Sequence, residues 1–270
     1  MNKQQAFETL CNHYFSGIRE EIAMSLQFND GMTFDTGKFG ERVNFILHDT
    51  TGVPSNGGCA FDAANSSEAK GCNKAQTYVC PDCGAKNNYY ASECHKCGGT
   101  GRKDPNDTRW GIDAEAHFKY IDQMPYYCMT IVTPINRDVD FPQFNIKVYR
   151  IDAKNEFFNA MLRYQLDNGS KSHKNFMPLG RDFYMSSPLI LVDCNITVTD
   201  FGVDFVYFDF DSEGRVMHTM PINLFTKKEQ KQLQDIGGGL CSILEAVNVI
   251  GVKESTHGKD RGNLNRNKNI

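Results

Sequence analysis

The sequence predicts an α/β (α+β) chain: a mixed central sheet flanked by helices, interrupted by an inserted four-cysteine segment. Three observations carry this. Near the N-terminus, Phe7, Leu10, Cys11, Tyr14, Phe15, Ile18, Ile22 and Leu26 recur at three- and four-residue spacing, the pattern of an amphipathic helix. Strand-like stretches dominate the chain from residue 109 onward. Between the two regions stand two CxxC pairs in a stretch with little apolar material. A length of 270 residues fits one domain with an insertion, or two unequal domains.

The elements follow in order. Residues 6–27 read as one helix. Residues 38–49 read as a second, with Val43, Ile46 and Leu47 on one face and Glu41 near its start. Pro54-Ser-Asn-Gly-Gly58 breaks the chain, and residues 59–72 read as a short hairpin. Strands are expected at 109–119, 126–135, 144–151, 189–198, 203–210 and 215–220, with Asp211-Ser-Glu-Gly214 as a hairpin turn between the last two. Phe157, Phe158, Met161, Leu162 and Leu166 place a helix over 155–168, stopped by Gly169. Thr226-Lys-Lys-Glu229 is a capping-box pattern that opens a helix expected to run to about residue 248. The organisation predicted is 1–78 for the N-terminal helices and hairpin, 79–101 for the insertion, 102–252 for the rest of the core, and 253–270 for a mobile tail.

Composition narrows the function. Hydrophobic residues make up 40% and charged residues 23%, ordinary globular usage that excludes a wholly disordered chain, collagen and a coiled-coil rod. A formal charge of -4 argues against holding nucleic acid by bulk charge alone. It leaves a nucleic-acid enzyme open, because clustered basic residues and metal ions offset carboxylates locally. The longest apolar runs, such as Pro188-Leu-Ile-Leu-Val192, fall far short of the roughly 20 residues of a spanning helix. The N-terminus lacks the apolar core of a secretory signal. The expectation is a cytoplasmic protein with no membrane partner.

Cys80-Pro-Asp-Cys83-Gly and Cys94-His-Lys-Cys97-Gly are two knuckles with the spacing of a zinc ribbon. Each CxxC turn brings two thiolates onto one ion, and the glycine after each pair relieves the tight turn. Four closed thiolate positions leave no place for water, so the zinc is expected to be structural. Two matched pairs standing together disfavour a redox CxxC reading. Cys59 and Cys72 read as buried small hydrophobes.

Asp62, Glu68 and Lys70 form the most informative group. Glu68 and Lys70 share a face if they lie on a strand. With Asn65-Ser-Ser67 as a three-residue loop, Ala64 pairs with Glu68 and Asp62 with Lys70, so all three polar side chains meet; a two-residue loop at Asn65-Ser66 would set Asp62 opposite Ala69, on the other face. Two close carboxylates repel unless a cation lies between them, and hard oxygen ligands with open positions suit Mg2+ or Mn2+. A neighbouring lysine orients a water, and the metal polarises a phosphodiester. An exposed Glu/Lys strand with a turn-capping Asp contains the same residues, and ExK by itself is a common tripeptide.

This series resembles the PD-(D/E)xK nuclease superfamily, and within it the type II restriction endonucleases. The acid-bearing helix precedes the motif, a Gly-rich turn leads into Asp62, and Glu68-Ala-Lys70 follows. Phe61 stands where the family name has Pro, and the gap between Asp62 and Glu68 is short. The resemblance covers the N-terminal half best. It implies a restriction-endonuclease-like core in which Asp62 and Glu68 bind Mg2+ (or Mn2+), Lys70 positions the nucleophilic water and Glu41 assists.

A rival constellation lies in Trp110-Gly-Ile-Asp113-Ala-Glu115-Ala-His117-Phe-Lys119. On a strand, Asp113, Glu115, His117 and Lys119 line one face, so Asp113 and Glu115 are an alternative metal pair, or add ligands to the first. Asp209 and Asp211 read as turn and surface residues. Lys171, Lys174, Asn175 and Arg181, in a basic, amide and aromatic segment, are candidates for contact with double-stranded DNA. Lys96, Arg102 and Lys103 around the ribbon are candidates for phosphate contact. The expected protein is a metal-dependent, sequence-specific DNA endonuclease, a hydrolase acting as a homodimer. The competing readings are a structure- or modification-dependent DNA nuclease and a non-enzymatic zinc-ribbon DNA-binding protein.

Overall fold

The computed structural model describes residues 1–31, 34–53, 61–73, 77–103, 109–167, 175–178, 181–233 and 240–246. The N-terminal periodicity is split between two helices, α1 (Lys3–Phe15) and α2 (Ile18–Phe28). Asn2 and Gln5 close a capping box at the start of α1, and Gly17 caps α2. Phe7, Cys11, Phe15, Ile18 and Ile22 are all buried, so the apolar stripe continues across the break. Helix α3 (Thr36–Leu47) follows, with the Asp35 carboxylate accepting from the Lys38 N–H at 2.9 Å.

A five-stranded mixed sheet forms the centre. It is built from β1 (Glu68–Asn73), β5 (Tyr126–Pro134), β6 (Gln143–Asp152), β8 (Leu189–Thr199) and β9 (Gly202–Val216), in that spatial order. β1 runs parallel to β5, and the remaining neighbours are antiparallel. Short pairs surround it: β2 (Thr77–Val79) with β3 (Lys86–Asn88), β4 (Arg109–Ile112) with β7 (Asn175–Pro178), and β10 (Thr219–Pro221) with β11 (Leu240–Ser242).

Alternation along the strands feeds two cores. On one face α1, α2 and α3 bury Phe15, Ile22, Phe39 and Val43 against Cys128, Phe144, Ile146 and Val148. On the other, α4 (Ala114–Tyr120), α5 (Glu156–Asp167) and α6 (Arg181–Met185) pack with β4 around Trp110, Tyr127, Met129, Tyr149, Phe158 and Phe183. The buried Trp110 indole N–H donates to the Thr130 carbonyl at 2.9 Å. A smaller cluster, including Met220, Phe225 and Cys241, closes the C-terminal part around α7 (Lys227–Gln232).

Several sequence expectations are corrected. The expected strand over 109–119 ends at Ile112, and α4 begins at Ala114. Alternating small and polar residues fit a short helix equally well once Asp113 supplies a cap. β9 is continuous through Asp211–Gly214, which forms a bulge in its pairing with β8 where a hairpin turn was expected; Gly214 takes φ 85° there. The Thr226 and Glu229 capping box forms as read, but its helix stops at Gln232 and Leu240–Ser242 is a strand. Residues 61–67 form a turn instead of one arm of a hairpin, and the neighbour of β1 is β5. Cys59 and the tail 253–270 lie outside the described residues, while Cys72 is buried as expected.

Candidate active site

β1 is an edge strand of the main sheet, and Glu68 and Lys70 project together from it. The Lys70 ammonium pairs with Glu68 Oε1, and both side chains are mostly covered. Burial pushes the Glu68 carboxyl above its ordinary value; the Lys70 charge lowers it again and the nearby Asp62 charge raises it. Asp62 reaches the same place without being on a paired strand. Its Oδ2 accepts from the Ala69 N–H at 2.9 Å, while its own backbone N–H is directed at the Glu68 carboxylate. The two acids are therefore tied to each other through backbone donors, and Lys70 stands beside them. No hairpin register is needed for the meeting that the sequence predicted.

The turn between the acids is compact. Ala63 N–H donates to the Ser67 carbonyl at 3.3 Å, Ser66 N–H to the Ala63 carbonyl at 3.0 Å, and Ser66 adopts φ 64°. An antiparallel bridge between Gly52 and Ala63 ties the turn back to the segment after α3.

Helix α3 contacts β1 from the opposite side. A Cβ on Gly71 would lie 1.9 Å from the Thr36 carbonyl oxygen, and one on Gly40 would lie 3.5 Å from the Gly71 nitrogen. Gly71 thus faces α3, and its neighbour Lys70 faces the other way. Glu41 is held by Lys38 at 2.7 Å. Lys38 lies within the field of Asp62; its ammonium is pushed up first by the Glu41 hydrogen bond and, more weakly, by the Asp62 charge. The structure brings Asp62, Glu68 and Lys70 together directly, whereas Glu41 is paired with Lys38 on α3 and does not touch them. Among the described residues these carboxylates do not form a set of three converging ligand atoms. Asp62 and Glu68 offer two hard oxygen donors, which fits Mg2+ or Mn2+ keeping its other positions for water and phosphate.

The rival pair is used otherwise. Asp113 is the N-cap of α4, accepting from the Ala116 N–H at 2.9 Å. Glu115 is exposed in its first turn. His117 is buried between the Tyr127 hydroxyl, 3.0 Å from Nδ1, and Asn159. With helical spacing in place of strand spacing, Asp113, Glu115, His117 and Lys119 no longer line one face. Asp209 is paired with Arg215, and Asp211 accepts from the Glu213 N–H.

The four cysteines converge. The sulfurs of Cys80, Cys83, Cys94 and Cys97 all lie within 4.8 Å of one another. Each knuckle closes with a glycine N–H, Gly84 to the Cys80 carbonyl at 2.9 Å and Gly98 to the Cys94 carbonyl at 2.8 Å, with φ of 73° and 71°. Burial pushes the Cys94 thiol up, but the N–H groups of Lys96 and Cys97, together with the neighbouring Cys83 and Cys97 thiols, outweigh it and bring the thiol down to about 6. Four sulfurs at this spacing are compatible with tetrahedral zinc. The ribbon is anchored to the body of the protein: Tyr89 and Tyr90 are buried in the core under α1–α3, and the Asn88 amide donates to Ser25 Oγ at 2.8 Å and to the Asp30 carbonyl at 2.6 Å. Arg102, a candidate for phosphate contact, instead donates to the Tyr89 and Ala91 carbonyls and stacks on Tyr78.

Of the candidate DNA contacts, Lys171 and Lys174 lie outside the described residues. Asn175 and Arg181 are placed by their backbones: Asn175 opens β7 opposite Ile112, and Arg181 opens α6.

A family model described as MamI restriction endonuclease matches residues 23–225, well over half of the chain. The chain belongs to the MamI restriction endonuclease family. The matched span of this restriction endonuclease takes in Glu41, the Asp62–Lys70 segment, the four cysteines and the whole main sheet. Family membership makes it a nuclease, a hydrolase that binds DNA. No curated protein and no solved structure matches the chain. No helix among the described residues is long and apolar enough to cross a membrane.

Sequence reasoning missed Asn44 and Tyr126, which hydrogen-bond the turn between the two acids from α3 and β5, and Lys38, the partner of Glu41. Lys38 had a local signal, its three-residue spacing from Glu41. Tyr126 had none, because only the parallel pairing of β1 with β5 brings it there.

Proposed function

We propose that this restriction endonuclease is a type II enzyme that hydrolyses phosphodiester bonds of double-stranded DNA at a specific sequence, using the PD-(D/E)xK arrangement. The carrying observation is the cluster at the edge of β1: two carboxylates linked through backbone donors, with a lysine beside them. Asp62 and Glu68 hold Mg2+ (or Mn2+), which supplies polarisation of the phosphodiester and charge neutralisation when bound. Lys70, paired with Glu68, orients the attacking water. Glu41 acts at one remove, by holding Lys38. Lys171, Lys174, Asn175 and Arg181 contact the DNA. Zinc on Cys80, Cys83, Cys94 and Cys97 is structural. Two-fold symmetric sites are most simply cut by a two-fold symmetric protein, so the enzyme acts as a homodimer in the cytoplasm.

The test is digestion of unmodified plasmid or phage DNA with and without Mg2+, alongside folded Lys70→Ala and Asp62→Asn proteins. Discrete bands that need Mg2+ are expected, with each variant slowed at least about a thousandfold, in keeping with loss of a group acting in the transition state. Equal cutting by the variants would remove the assignment. Cutting confined to modified or branched DNA would instead favour a structure- or modification-dependent nuclease.

A further inference from the structure

The two proposed metal-binding acids are joined by a turn, and that turn is clamped by a directed chain of side-chain hydrogen bonds. It starts in α3, where the Asn44 amide donates to Ser67 Oγ at 2.8 Å. The Ser67 hydroxyl donates onward to Asn65 Oδ1 at 2.6 Å, and the Ser67 backbone N–H donates to the same oxygen at 3.1 Å. The Asn65 amide donates to the Tyr126 hydroxyl oxygen at 2.7 Å. Asn44 and Ser67 are fully buried. Tyr126 is seated by His48, whose ring lies 4.5 Å away centroid to centroid.

The polarity of this chain is set at Asn65 by the Ser67 backbone N–H, which can only donate. Asn65 Oδ1 faces two donors, so its amide nitrogen must face Tyr126, whose oxygen accepts. Tyr126 immediately precedes Tyr127, the register partner of Glu68 across β1 and β5. The chain therefore ties the middle of the turn to α3 on one side and to β5 on the other, at the level of Glu68. Both Asp62 and Glu68 leave this turn within a few residues.

We propose that Asn65 is a positioning residue of the metal site: through Tyr126 on β5 and Ser67–Asn44 on α3 it holds in place the turn that carries Asp62 and Glu68. This rests on the reading of Asp62 and Glu68 as metal ligands. Groups that fix metal ligands in place govern affinity and rate without touching the substrate. Asn65 itself is exposed, so its replacement leaves the core intact.

The experiment compares the parent enzyme with Asn65→Ala, Tyr126→Phe, the double variant, Asn65→Asp and a Lys70→Ala control. Each is measured for cleavage rate at saturating DNA, Mg2+ requirement, Mn2+ affinity by calorimetry without DNA, and melting temperature. Asn65→Ala and Tyr126→Phe are each expected to weaken Mn2+ binding and slow cleavage about tenfold, the lower end for groups that orient metal ligands. DNA binding in Ca2+ should stay within about twofold, and the double variant should be no worse than either single one. Asn65→Asp keeps the acceptor for Ser67 and lets Tyr126 donate instead, so it should recover most of the loss. Parent-like Mn2+ affinity and rate in Asn65→Ala, with only a lowered melting temperature, would reduce the chain to a stabilising role and overturn the inference alone. A parent protein that cuts no DNA under any divalent cation would remove the reading of the site and this inference with it.

Discussion

Glu68 carries opposed demands. Folding covers its carboxylate, which favours the protonated form, while the proposed metal role needs the ionised form. The sign follows from linkage. With its folded value above its ordinary 4.5, Glu68 favours the folded state most below pH 4.5, and that contribution is lost as pH rises through the elevated folded value. A divalent cation binds the ionised carboxylate and so offsets the loss. The increment in melting temperature produced by Ca2+ should therefore shrink as pH falls towards 4.5, and Glu68→Gln should remove it. Thermal scans with and without Ca2+ across that window measure it, and a Ca2+ increment independent of pH would contradict the assignment. At this scale the sequence was informative for Asp62, Glu68 and Lys70, because their residue types and closeness in the chain already suggested the chemistry. The route by which Asp62 arrives was not legible. A carboxylate on a backbone N–H seven residues away and a strand partner give the same sequence pattern.

Among the elements, α3 and β1 have the tightest relation. Gly71 admits the first turn of α3 to contact distance, since a Cβ there would overlap the Thr36 carbonyl. Gly71→Ala must push the helix away from the strand beside Lys70. A loss of about 3 kcal/mol is expected, at the upper end for overpacking, together with slowed cleavage. Gly17→Ala, where a Cβ would meet nothing within 4 Å, should cost no more than about 1 kcal/mol, the loss of a glycine N-cap. Urea titration of both proteins makes the comparison, and equal effects would contradict the packing account. Local signals located α3, α5, β5, β6 and β8 well. They failed where period was ambiguous: Asp113–Lys119 satisfies strand alternation, yet Asp113 caps a helix whose buried Ala114 and His117 lie three apart. They failed again at Asp211–Gly214, where turn residues serve a bulge because β8 continues alongside.

At the scale of the molecule, the four-cysteine segment is part of the main body. Its Tyr89 and Tyr90 belong to the core beneath α1–α3, and Asn88 is bonded to α2 through Ser25. Loss of the zinc proposed for it should therefore be felt beyond the four-cysteine segment. Cys80→Ser is expected to release zinc and lower the melting temperature by roughly 10 °C, given that 1 kcal/mol shifts a domain of this size by about 2–4 °C. Differential scanning calorimetry with a colorimetric zinc assay reads both, and an unchanged main transition would show that the ribbon folds independently of the core.

The amino-acid sequence by itself determined the things that are local. These are the four cysteines and their knuckle glycines, the apolar stripes of the helices, the apolar strands of the sheet, and the short Asp62–Lys70 segment in which acids and a lysine are never far apart along the chain. Only the tertiary structure decided what depends on non-local pairing. The parallel docking of β1 on β5 sets Tyr127 beside Glu68 and carries Tyr126 to the turn. The approach of α3 to Gly71 brings Asn44 onto Ser67 and leaves Glu41 on Lys38. Hydrophobic period records which face of an element is buried, but not which element buries it. The residues that bond the turn between the acids come from elements whose adjacency no local pattern records.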